Sequence, residues 1–89
     1  MKACTLTPGG RVLQRERFKL VRGGIVDVER LPTALTVRFD PGTDETVLAK
    51  LVATERMCCT FLDIDYADRV LRIGSDDPRD LDPFEAMLR

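Results

Sequence analysis

ATERMCCTFLDIDY, residues Ala53 to Tyr66, changes periodicity in mid-course. Up to its middle, Val47, Leu48, Leu51, Val52, Cys58, Cys59 and Leu62 fall within an arc of roughly 140° when wound at 3.6 residues per turn. Beyond it, Leu62, Ile64 and Tyr66 alternate with Asp63 and Asp65, the period of a strand with one wet face. A helix leading into a strand is expected here. It should start near Asp44, because Asp40-Pro41-Gly42 breaks the preceding segment and Thr43 or Asp44 can cap the first turn. Asp44 and Glu45 also suit the positive end of the helix dipole, and the helix should end near Cys59.

The flanking segments extend this pattern. IVDVER opposes Val26 and Val28 to Asp27 and Glu29, and TALTVRFD opposes Leu35, Val37 and Phe39 to Thr36 and Arg38. With Leu31-Pro32 as a tight turn, the two form an antiparallel hairpin. LDIDY and RVLRI form a second hairpin across Ala67-Asp68. TPGGRVLQRERFKLVRGG reads as a helix with Thr7 as N-cap, Pro8 in the first position and Gly23-Gly24 as its stop. Its apolar stripe is ragged, however, and part of it reads equally as strand. Asp82-Pro83-Phe84-Glu85 has the form of an N-terminus with Asp82 as cap, opening a short helix whose apolar face is Phe84, Met87 and Leu88. The expected architecture is α+β: a four-stranded, mostly antiparallel sheet of two hairpins, with the central helix and the short C-terminal helix packed on one face.

A chain of 89 residues and 10.0 kDa has room for one core, so residues 1–89 are expected to form a single domain. Its 44% hydrophobic and 33% charged residues are the balance of a folded globular protein. Fourteen Lys and Arg against fifteen Asp and Glu leave a net charge of -1, which argues against nucleic acid as a partner. No apolar run approaches the roughly 20 residues of a bilayer span, and MKACTLTPGG lacks a secretory apolar core, so no membrane association and a cytoplasmic location are expected. In that compartment the three cysteines are expected to be thiols. The absence of histidine and the single serine, Ser75, exclude Ser-His and Cys-His catalysis and most zinc-hydrolase designs.

What chemistry remains rests on sulfur and carboxylate. Glu55 falls near the middle of the apolar arc, three residues before Cys58 and four before Cys59, the two spacings that bring helical side chains together. A disulfide between Cys58 and Cys59 is disfavoured, because neighbouring Cα atoms lie about 3.8 Å apart where disulfides need about 4.4 to 6.8 Å. Glu55 and the helix carboxyl end should raise the thiol pKa above about 8.5, which disfavours an activated nucleophile. The same negative surroundings favour a soft cation such as mercury(II), copper(I) or zinc, held by Cys58 and Cys59 with Glu55 beside them. Cys4, in KACTLT, is either a third ligand or a buried edge residue. The plain alternative is that both cysteines only pack while Glu55 reaches outward to Arg56 or a strand arginine. Asp63 and Asp65 read as solvated.

ERMCCTFL, Glu55 to Leu62, resembles the E-x-x-C-C-P-F-L segment of small bacterial proteins, some associated with mercury or other heavy-metal resistance. Cys4-Thr5-Leu6-Thr7-Pro8 is similar to the early cysteine that precedes a Thr-Pro helix start in those proteins. The resemblance implies a helix closed at the cysteine pair and a strand after it. Thr60 stands where the motif has proline, so the stop that a proline would impose is missing.

Three functions are open to such a chain. The first is binding of a thiophilic metal ion, for sequestration or for transfer to another thiol protein. The second is a thiol enzyme in which Cys58 or Cys59 attacks an organomercurial or a disulfide and Glu55 is the general acid or base. The third is an interaction module with structural cysteines. Whether two chains share the site, as a homodimer, is left open by the sequence.

Overall fold

The computed structural model describes residues 7–89, and the fold is α+β as expected. Helix α1 spans Pro8–Arg22, strands β1 and β2 span Ile25–Leu31 and Ala34–Phe39, and helix α2 spans Glu45–Cys58. Strands β3 and β4 follow at Asp63–Ala67 and Val70–Gly74, then a 3-10 turn at Pro78–Leu81 and helix α3 at Asp82–Leu88. The four strands form one antiparallel sheet in the order β1-β2-β4-β3. Each hairpin closes with a two-residue loop. In the second loop Asp68 and Arg69 both take positive φ, 51° and 66°, the handedness that matches strand twist.

The core lies on one face of the sheet. Leu35, Val37, Phe39, Leu71 and Ile73 project from the central strands and are buried against Phe18 and Val21 of α1, Leu48, Leu51 and Val52 of α2, and Phe84 and Leu88 of α3. Arg38 and Arg72 occupy the opposite, exposed face. The first strand departs from simple alternation: its register slips between Ile25 and Asp27, so Ile25 and Val28 pack on the core while Val26 is exposed. An extra residue in one strand of a pair turns the following side chains over, which is why Val26 and Val28 do not share a face.

Residues 8–22 are helical throughout. Thr7 caps α1, accepting from Gly10 N at 3.1 Å, and the buried residues Gln14, Phe18 and Val21 follow helical spacing. Asp44 caps α2 through Thr46 N and Val47 N, at 2.9 and 3.3 Å. At the C-terminal helix the expected cap is displaced. Asp82 lies inside α3, because a 3-10 turn capped by Asp77 runs directly into the helix and the Asp82 N–H already bonds to Arg79 O.

Helices α1 and α2 lie antiparallel. Gln14 of α1 meets Leu51 and Glu55 of α2, while Gly24, ten residues on, meets Thr43 at the other end. A side chain at Gly24 would collide with Thr43 Oγ1, so this close approach requires glycine. The residues that open α1 are thereby brought to the end of α2 that carries the cysteines.

Candidate metal centre

Glu55, the misplaced carboxylate of the helical arc, is buried, only 5% exposed. It does not reach out to Arg56, whose Nε donates instead to Ile64 O on β3 at 3.1 Å. Gln14 turns it inward. The Gln14 Nε2 donates to Glu55 Oε1 at 2.9 Å and also to Leu51 O at 2.9 Å. Arg17 Nη1 in turn donates to Gln14 Oε1 at 2.8 Å and to Thr54 Oγ1 at 3.1 Å, which fixes the amide with its nitrogen towards the carboxylate. One carboxylate oxygen is thus committed to α1 and the other is directed to sulfur.

That second oxygen, Glu55 Oε2, lies 3.2 Å from Cys59 Sγ. Cys58 Sγ lies 3.4 Å from Cys59 Sγ and 3.9 Å from the Glu55 carbonyl oxygen. The helix stops at this point. Cys59 leaves helical geometry with φ -116° and ψ 64° while its N–H still bonds to Glu55 O at 2.8 Å, and Leu62 N bonds to Cys59 O at 3.0 Å as the chain turns towards β3. The helix therefore ends at Cys58, with Cys59 as its cap and no proline at position 60. Both cysteines are buried.

One ligand atom from each of Glu55, Cys58 and Cys59 lies within 4.8 Å of the others, close enough to hold a metal ion. Two sulfurs on a tetrahedral ion at about 2.3 Å stand about 3.8 Å apart, whereas a linear pair needs about 4.6 Å. The observed 3.4 Å is nearer the bent arrangement, which leaves the ion an open side for the carboxylate. Burial raises the Glu55 pKa, and the hydrogen bond from Gln14 opposes that rise in part.

The thiol expectation holds for Cys58 but not for Cys59, which is disulfide-bonded. Cys4, the expected third ligand or edge residue, lies outside the described residues. Asp63 and Asp65 are exposed and apart from the cluster. An open cleft of about 550 Å³ lies beyond the helix end between Thr60, Phe61 and Ser75, and neither cysteine lines it. Gln14 is the site residue the sequence reading missed. Its signal was a polar residue at helical spacing from Phe18 and Val21, on a face that α1 buries.

Among the described residues, no helix is long and apolar enough to cross a membrane. No family model matches the chain, and no curated protein or solved structure matches it either. The site has to be read from its own atoms.

Proposed function

We propose that the chain, with Cys59 reduced, binds a thiophilic metal ion through the Cys58 and Cys59 thiolates with Glu55 as the neighbouring oxygen ligand. The observation that carries this is the convergence of three buried potential ligands within 4.8 Å at the end of α2. A carboxylate that burial disfavours as an anion is stabilised by a cation beside it, and two thiols there can exchange their protons for the same ion. Sulfur ligands select mercury(II), copper(I), zinc or similar ions, and the short sulfur separation favours those that accept bent coordination.

Glu55 and the cysteine pair are also the residues that resemble the vicinal-cysteine proteins associated with heavy-metal resistance. In that setting the chain acts in the cytoplasm, sequestering the ion or passing it to another thiol protein by ligand exchange. Titration of fully reduced protein with mercury(II) tests the reading. One equivalent should protect two thiols from alkylation in wild type and none in the Cys58→Ala, Cys59→Ala double variant. No protection of wild type at one equivalent removes the proposal in favour of cysteines that only pack.

A further inference from the structure

We infer that the exposed face of α1 docks on an anionic lipid membrane, which it meets with a row of four cations bordered by exposed aliphatic side chains. Wound at about 100° per residue, Arg11, Arg15, Lys19 and Arg22 fall within an arc of about 80° along about 16 Å of helix. All four are exposed. Beside them on the outward side lie Val12, Leu13 and Leu20, which are 56%, 59% and 69% exposed. Contacts across the helix layer fix the two rims: Arg22 Nε donates to Met87 O of α3 at 2.9 Å, whereas Arg17 Nη1 donates to Thr54 Oγ1 of α2 at 3.1 Å. The helix thus buries Gln14, Phe18 and Val21 and presents its cations on the α3 side and Leu13 and Leu20 on the α2 side.

The overall charge of -1 conceals this row. Helix α1 carries five of the fourteen basic residues and one of the fifteen acidic ones, a net +4 in a chain whose other residues sum to -5. Several other arginines stand against carboxylates. On the open face of the sheet Arg38 lies opposite Asp27 and Arg72 opposite Asp65, and Arg30 is held by Asp82 and Glu85. On α1 the one carboxylate is Glu16, 3.3 Å from Lys19, and both side chains are so exposed that solvent screens the pair.

Charge complementarity calls for an anionic partner, and the aliphatic border decides which. A bilayer surface satisfies both halves of the face: headgroup phosphates pair with the cations while Val12, Leu13 and Leu20 enter the headgroup boundary. The phosphate backbone of a nucleic acid offers nothing to the leucines, and a long polyanion would also meet the net -5 of the remaining residues. A second copy of the chain is the weaker occupant, because the acidic residues on its open sheet face already stand opposite Arg38 and Arg72. Peripheral docking needs no spanning helix and leaves the buried face of α1 on the core. Near an anionic leaflet each cation contributes about fivefold in affinity, so the four together give roughly 600-fold.

Flotation of the full-length protein with vesicles tests the assignment, using phosphatidylcholine alone and phosphatidylcholine mixed with phosphatidylglycerol. The protein should float with the mixed vesicles, ignore those of phosphatidylcholine, and detach in about 1 M salt, where the screening length is about 3 Å. Arg11→Gln with Arg15→Gln should weaken binding about 25-fold. Arg and Gln have nearly equal helix propensity, so α1 persists in that variant, as circular dichroism should show. Arg38→Gln with Arg72→Gln removes the same charge from the open sheet face and should leave binding nearly unchanged. Leu13→Gln with Leu20→Gln should weaken it without any change of charge. No binding to the mixed vesicles, equal weakening by the two arginine pairs, or full affinity in the leucine variant each overturns lipid docking. Tighter binding of a short DNA duplex at equal phosphate concentration overturns it too, as does salt-reversible self-association that the Arg11, Arg15 variant loses.

Discussion

Glu55 and Glu85 are both glutamates on helices of one small domain, and their surroundings push them in opposite directions. Glu55 is buried at the end of α2 with Gln14 as its donor, and burial raises its pKa. Glu85 is held at 2.8 Å by Arg89 and at 2.9 Å by Arg30, and those partners lower its pKa. Arg30 ties β1 to the C-terminal end of the chain, also contacting Asp82 at 3.0 Å and Pro78 O at 2.7 Å. The surface cluster is complete, each charge facing its opposite. The buried one gathers a carboxylate and two sulfurs within 4.8 Å of one another, with an amide donating to the carboxylate.

The largest way to break the comparison is at sulfur. Cys58→Ala with Cys59→Ala should abolish metal uptake by the reduced chain, read as retained ion after desalting. The same change should cost about 1 to 3 kcal/mol of folding stability, the scale of small core truncations, read by denaturant unfolding. Loss of stability with uptake intact would place the metal elsewhere.

Next in size is the amide. Gln14→Leu keeps approximate side-chain volume but leaves Glu55 Oε1 without its donor, which should cost about 1 to 3 kcal/mol in denaturant unfolding. It should also raise the Glu55 pKa further, since the Gln14 hydrogen bond is what lowers it. An unchanged midpoint would mean that water replaces the amide and that the carboxylate is less enclosed than its 5% exposure indicates.

The pH dependence then separates the two glutamates. With its folded pKa raised, Glu55 keeps its proton in the folded state after the unfolded chain has released it. Its favourable contribution is complete below the unfolded value of about 4.3 and is lost as pH rises through the folded value. Metal-free protein should therefore lose stability as pH rises across that window, and Glu55→Gln should flatten the slope in a series of urea melts. Bound metal should flatten it as well, by stabilising the anion. A slope unchanged in Glu55→Gln would assign the titration to another group.

Much of this arrangement was legible before any coordinates. The change from helical to alternating period at Cys59 placed the helix, the following strand and the polar intruder Glu55, because each is a local pattern expressed along one element. The bulge after Ile25 was not visible, since the residues on either side alternate acceptably in both registers. The displaced cap at Asp82 was hidden for a related reason: a strong capping signature was overruled by a 3-10 turn that supplied the backbone partner first. Gln14 was missed because its role lies between helices, 41 residues from the carboxylate it holds. The oxidation state of Cys59 was not readable either, because the compartment argument pointed the other way.

The smallest effect should come from the surface cluster. Arg30→Ala removes the contacts to Asp82 and Glu85, but Asp82 is 65% exposed and solvent screens the pair. Because the Glu85 pKa is lowered in the folded state, its contribution is present above the unfolded value and is lost as pH falls through the folded one, the reverse of Glu55. Arg89, the larger cause of that shift, remains in the variant and should retain most of it. Arg30→Ala should thus produce only a slight loss on the acid side of the profile, and the loss should vanish in about 1 M salt, where the screening length is about 3 Å. A large, salt-insensitive loss would show instead that the Arg30 hydrogen bond to Pro78 O, which pins the 3-10 turn to β1, matters more than either ion pair.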